Sequence, residues 1–256
     1  GVRDDGFLIK VTHDSASISA ICAKGILNGV CELAEMLGYI FLKPDDAGEW
    51  APESLMELSP GTTLKNPRFP HRGNFHLPDD CFTHEERLRF HAKLKFNAIS
   101  LVPKGNELTV CKELGIRCET GGHGLSELLE RKKFTESPEM FRMFQPEDFN
   151  GKRTPDSNVC VTNPDVRRII VDSFMKKIRG SEGAYSIHAW ADDLPAGGWC
   201  MCPSCRSYSP QDQNMLAMKL LCMAADKANS DVRIPVIAYH DTLFPGKQIA
   251  PEKRDR

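Results

Sequence analysis

The hydrophobic pattern opens with two short extended runs, Phe7–Val11 and Ser17–Ile21, separated by polar turn residues, which predicts a hairpin. In "KGILNGVCELAEMLGYIFLKPDD" the apolar residues Ile26, Leu27, Val30, Leu33, Ala34 and Leu37 then recur at helical spacing, and Gly38 suits the end of a helix. This predicts a helix that packs on a sheet through that stripe, followed by a returning strand, "YIFL". The next stretch, "PESLMELSPGTTLKNPRFP", is rich in proline and turn residues and places a boundary near Gly61–Pro67. A small α/β domain over residues 1–62 and a second domain over 63–256 are expected.

Beyond the boundary the period switches repeatedly between two and 3.6. "FPHRGNFHL", "FNAISLV", "IRCETGGHG", "GAYSIHAWADD" and "IPVIAYHD" read as strands. "HEERLRFHAKLK", "ELTVCKELG", "GLSELLERK", "PDVRRIIVDSFMKKIRG" and "NMLAMKLLCMAADKAN" read as helical or helix-like segments between them, with a long polar insertion before the fourth. Such alternation predicts an α/β fold with a parallel sheet, either doubly wound or a (β/α)8 barrel. Polar residues decide between the two. Arg72 and His76, His123, Asp192 and Asp193, and Tyr239, His240 and Asp241 all fall at C-terminal strand ends, which converge on one mouth in a barrel. No phosphate-binding glycine fingerprint follows the first strand, so a TIM barrel is the preferred fold. About five βα units can be counted where a barrel has eight, so the sequence is expected to stop in mid-fold.

Composition narrows the function. The chain has 256 residues, 41% of them hydrophobic, enough for one large core or two smaller ones. A formal charge of −2 with interspersed signs argues against nucleic acid as partner and against a polybasic membrane patch. No apolar run approaches the roughly 20 residues of a membrane span, and any export signal would already have been removed. Of ten cysteines, Cys22, Cys31, Cys111, Cys118, Cys160 and Cys222 sit in apolar segments and are expected to be buried and reduced; the oligomeric state is left open.

Two features carry chemistry. Asp192 and Asp193 end the strand "YSIHAWADD"; paired carboxyl groups suit glycosidic bond cleavage, which needs a proton donor for the leaving oxygen and a negative group beside the anomeric carbon. Adjacent strand residues face opposite ways, so both can reach one sugar only where the strand has ended, as Pro195 suggests. The alternative is a turn or capping role. Arg72 suits vicinal hydroxyls but equally a carboxylate partner, and His123 in "GGHG" either lines a pocket or bonds a carbonyl. Tyr239 and His240 could line the same pocket, and Trp190 and Trp199 could stack on a sugar.

The second feature is "CMCPSC": Cys200, Cys202 and Cys205, with Cys160 or His188 as a fourth ligand, could hold a structural zinc. A disulfide, or free thiols, are the alternatives. A catalytic zinc is not expected, since four protein ligands leave no open position.

The stretch "KGILNGVCELAEMLGYIFLKPDD" resembles the small α/β domain before the barrel in glycoside hydrolase family 20 and in the family 67 α-glucuronidases. "NPRFPHRG", "KFNAISL" and "GIRCETGGHG" resemble the first three barrel strands of those enzymes. A bacterial group of uncharacterised glycoside-hydrolase-like proteins with a "C.C..C" knuckle after the fourth strand is the nearest likeness. The resemblance implies that Arg72 grips sugar hydroxyls and that His123 lies near the sugar. It implies that Asp192 orients a substrate group and that Asp193 is general acid and then base. The pair is Asp-Asp, as in family 84, rather than the Asp-Glu of family 20, and the cysteine knuckle belongs to neither. The expectation is a glycoside hydrolase acting on a carbohydrate, secreted or periplasmic, with no required cofactor. The alternatives are a catalytically inactive carbohydrate-binding protein on the same fold, or a metal-stapled interaction module.

Overall fold

The computed structural model describes residues 1–74, 82–100, 106–145, 150–194 and 198–250. The chain forms two compact units, Gly1–Glu119 and Thr120–Arg256.

In the first unit, β1 (Phe7–Val11) pairs antiparallel with β2 (Ala16–Ser19) in the expected hairpin, Leu8 opposite Ser19 and Val11 opposite Ala16. Its other edge takes β5 (Gly61–Lys65), Phe7 opposite Lys65. The segment around the expected boundary therefore completes the small sheet. Between them run α1 (Ala23–Met36) and the short pair β3 (Ile40–Phe41) and β4 (Glu49–Trp50).

The helix forms where its periodicity predicts, but it faces the sheet differently. Ile26 and Val30 are 40% and 49% exposed, while Gly25, Asn28, Gly29 and Cys31 are buried. A Cβ on Gly25 would meet the Ala20 Cβ at 2.7 Å, and one on Gly29 the Ile18 Cγ2 at 2.5 Å. Glycine lets the backbones approach this closely, so the helix turns its small residues rather than its branched ones inward. Leu33 and Met36 still pack with Phe7, Ile9 and Val11.

The rest of this unit follows the alternating pattern. β6 (Gly73–Asn74), β7 (Ala98–Ser100) and the first half of β8 (Arg117–His123) lie parallel, Gly73 opposite Ala98 and Ala98 opposite Arg117. α2 (His84–Lys93) and α3 (Glu107–Glu113) connect them. α2 starts at a capping box, with the Thr83 hydroxyl accepting from Glu86 N–H and the Glu86 carboxylate from Thr83 N–H, which satisfies two otherwise unpaired amides. Leu88, Ala92, Ile99, Val110, Cys111 and Cys118 form the core beneath.

In the second unit, the segment after β8 is a short 3-10 turn, Ser126–Leu128, where a helix-like element was expected. The polar insertion carries an antiparallel pair, β9 (Phe141–Met143) and β10 (Arg153–Val159), that polar spacing did not reveal. α4 (Pro164–Arg179) begins at Asn163, whose side chain accepts from Asp165 and Val166 N–H, with Pro164 filling the first helical position. β11 (Ala184–Trp190) follows, with Ser186 to Ala189 all buried, as in a strand covered on both faces. α5 (Pro210–Lys227) starts at Ser209, earlier than the apolar pattern suggested, and packs on α4 around Phe174, Ile170, Ile187 and Leu221.

The strand expected over "IPVIAYHD" is not formed. A single parallel bridge joins Ser186 and Arg233, and Pro235, which has no N–H to donate, follows at once. The chain then continues irregularly to a 3-10 turn at His240–Thr242. The α/β class expected from the sequence is the class observed. Among the described residues, no helix is long and apolar enough to cross a membrane.

Candidate functional site

In the first unit, Arg72 lies just before β6. Its Nη1 and Nη2 bond Asp5 Oδ1 and Oδ2 at 3.2 and 2.5 Å, Nη1 also bonds Phe69 O, and Nε and Nη2 bond Lys95 O. Five N–H groups thus make five hydrogen bonds to four protein acceptors, Lys95 O taking two, and none is left for a sugar hydroxyl. Of the two fates weighed for Arg72, carboxylate pairing is the one observed.

Asp5 is buried beside it and also accepts from Asn28 and Asn97. Burial alone would raise its pKa, but the hydrogen bond and charge of Arg72, with the two amides, outweigh it and hold the carboxyl below its ordinary value. A lowered folded pKa stabilises the fold above the unfolded value of about 3.9, and the contribution is lost as pH falls through the lowered value. Urea titrations of the wild type and Asp5→Asn are expected to differ at neutral pH and to draw together as pH falls below about 4. A gap that stayed constant as the pH was lowered from about 7 to the onset of acid unfolding would contradict this account.

The remaining candidate residues lie in the second unit. β8 passes close to β11: Gly121 has φ +95°, and a Cβ there would lie 2.0 Å from His188 O. Two residues on, the His123 Nδ1 lies 2.6 Å from Ala191 O, so that this nitrogen carries the proton and donates. The His123 ring stands edge-on to Trp190 at 5.6 Å and 5.9 Å from Tyr239, and Trp190 Nε1 donates to Pro235 O. Together His123, Trp190 and Tyr239 form an aromatic group beside the end of β11.

The strand ends at Trp190, so the acidic pair stands on irregular backbone, as expected. Asp192 is held at both ends: its N–H donates to Asn158 Oδ1 at 2.8 Å, and its Oδ1 accepts from the Ser126 hydroxyl at 2.6 Å. Asp193 is 56% exposed at the side chain, and its Oδ1 lies 3.3 Å from His240 Nε2. A hydrogen bond to Asp193 also raises the Tyr239 phenol above its ordinary value. The structure thus brings Asp193, Tyr239, His240, His123 and Trp190 into one neighbourhood, with Asp192 adjacent. Asp241 belongs to the same 3-10 turn, whereas His76 and Pro195 lie outside the described residues.

Ser126 and Asn158, which position Asp192, were not singled out from the sequence. Asn158 leaves no signal there: it ends the polar stretch 156–158 of β10, and its burial follows only from the fold. A cavity of about 230 Å³, lined by Asn214, Met215, Val236, Ile237, Leu243 and Phe244, lies elsewhere in this unit and does not include the pair.

The cysteines are gathered at the end of β10 and in the turn before α5. The sulfurs of Cys160, Cys200, Cys202 and Cys205 all lie within 4.8 Å of one another, all buried, with Cys160 Sγ 3.7 Å from Cys202 Sγ and 3.6 Å from Cys205 Sγ. Trp199 is buried next to them. Hydrogen bonds from Cys200 and Cys205 hold the Cys160 thiol far below its ordinary value, and the same bond with Cys160 pushes Cys200 up to about 12. His188 is not part of this group; its Nε2 lies 3.4 Å from Ser186 Oγ.

A family model described as "Domain of unknown function (DUF4838)" matches residues 60–254. None of the curated proteins matches in sequence. Among solved structures, a beta-N-acetylhexosaminidase matches with 18% identity and a TM-score of 0.56, over 93% of this chain and 59% of its own. The chitobiase of Flavobacterium johnsoniae, of glycoside hydrolase family 20, matches with 14% identity and a TM-score of 0.58, over 94% and 40%. A mutant Streptomyces plicatus beta-hexosaminidase in complex with its product GlcNAc matches with 14% identity and a TM-score of 0.53, over 93% and 52%. The chain thus spans 40 to 59% of the length of these structures, and at such identities the likeness is one of fold.

Proposed function

The chain belongs to the DUF4838 family, and from that premise and its fold we propose that it is a glycoside hydrolase acting on a glycan or polysaccharide. The observation that carries the reading is the acidic pair on irregular backbone at the end of β11, one carboxylate clamped and the other exposed beside an aromatic group. The strand–helix repeats from β6 onward are read as βα units of a (β/α)8 barrel, whose strand ends carry the chemistry.

The roles follow from the surroundings. Asp193, reachable by substrate and bonded to Tyr239 and His240, protonates the leaving oxygen and then activates water. Asp192, fixed by Ser126 and Asn158, orients substrate or stabilises positive charge at the anomeric carbon. His123, Trp190, Tyr239 and His240 line the sugar subsite, the rings offering apolar faces to the sugar's C–H surface. Arg72 is not included, because its donors are already bound. No cofactor takes part in the reaction. A polymeric substrate is consistent with a secreted or periplasmic enzyme.

The test is a panel of chromogenic glycosides, 2-acetamido sugars first, since one matching structure holds GlcNAc. Asp193→Asn is expected to lower kcat/KM by about 10²- to 10⁴-fold, the usual worth of a general acid, while glycan binding persists. Binding without turnover in the wild type would overturn the hydrolase in favour of a sugar-binding protein. The absence of both would remove the carbohydrate reading altogether.

A further inference from the structure

The four buried cysteines have a geometry that the proposed reaction does not use. Four sulfurs at about 2.3 Å from a tetrahedral metal stand about 3.8 Å apart. The two separations from Cys160, 3.7 and 3.6 Å, match that edge, whereas a disulfide would bring one pair to about 2.05 Å.

The surroundings are those of a thiolate site. Met143 N–H lies 3.4 Å from Cys200 Sγ and the Thr162 hydroxyl 3.1 Å from Cys205 Sγ, the outer-sphere donors that stabilise ligated sulfur. The turn is preset by Cys205 N–H and Arg206 N–H, both bonded to Cys202 O. Without an ion, four sulfurs would crowd one buried site.

We propose that Cys160, Cys200, Cys202 and Cys205 bind one structural zinc ion. Soft thiolates in a closed tetrahedral set favour zinc over hard cations and leave no position for substrate or water. The ion would tie the end of β10 to the turn before α5. Asn158, which holds the Asp192 amide, is two residues from the ligand Cys160, so the metal would also fix the backbone that positions the acidic pair.

The experiment uses the purified full chain, independently of any glycosidase assay. Metal analysis after desalting against a weak chelator is expected to return one zinc per chain. Denaturation in strong chelator should release that zinc and leave the four cysteines titratable as thiols. Cobalt in place of zinc should give the visible ligand-field bands of a tetrahedral tetrathiolate. Cys205→Ser is expected to lose stoichiometric metal; if it fails to fold, the wild-type stoichiometry decides. A metal-free folded protein would overturn the proposal, whether its mass shows hydrogens lost to disulfides or all four thiols intact.

Discussion

Gly121→Ala is expected to destabilise the second unit by about 3–5 kcal/mol, the sum of a forced left-handed backbone and an overpacked contact. Gly121 has φ +95°, a conformation that costs a side-chain-bearing residue steric strain. The added Cβ would sit 2.0 Å from His188 O and 2.9 Å from His188 C. Both atoms are backbone of β11, so no side chain can swing aside, and the strands must separate. The change lies two residues from His123, and His188 two from Trp190, so the 5.6 Å contact of those rings should be lost with it. Urea denaturation followed by tryptophan fluorescence measures the first effect. A loss below about 1 kcal/mol would mean that the strands do not approach closely enough at Gly121 to exclude a methyl group.

Gly121 also shows where sequence reading succeeds and where it stops. The glycine run before His123 suited the approach of a ligand, but what approaches Gly121 is a strand, β11, more than sixty residues away in sequence. The helices from His84 and Pro164 were legible because each has a periodic apolar face and its own start signal, at Thr83 and Asn163. In α1 the same period misled. Close approach chose the glycine face, and hydrophobicity alone cannot rank Gly25 and Gly29 above Ile26 and Val30.

The segment Ile234–Asp241 had the composition of a strand, but a strand needs a neighbour to bond, and beyond the bridge at Arg233 the described residues supply none. Arg72 was expected at the C-terminal end of a strand but lies just before β6, and its partner Asp5 was not legible, because ion pairs between distant segments leave no periodic trace. The acidic pair was the opposite case. Its position past the end of a strand follows from local sequence, while the groups that hold it, Ser126, Asn158 and His240, come from three other segments.

Gln213→Leu is the second large effect expected, and it concerns the cysteine turn. Gln213 is fully buried in the first turn of α5 and bonds only to main chain: its Oε1 accepts from Cys200 N–H at 3.2 Å. Its Nε2 reaches the carbonyls of Cys200, Cys205 and Tyr208 at 3.1, 3.3 and 3.3 Å. Leucine matches the bulk but offers neither donor nor acceptor, so one buried amide and three carbonyls lose their side-chain partner together. At about 1–3 kcal/mol for each group left unsatisfied, and with partial relaxation of the turn, a loss of about 3–6 kcal/mol is expected. Chemical denaturation measures it. Gln213→Glu should be no better, because a carboxylate would face the same carbonyls without donors to offer them. Since the hydrogen bonds of Gln213 all go to main chain and not to sulfur, its effect separates the turn's hydrogen bonding from metal binding. A variant that stayed folded and kept its zinc would mean the four sulfurs alone hold the turn, whereas loss of both would mean that Gln213 sets the backbone on which the ligands stand.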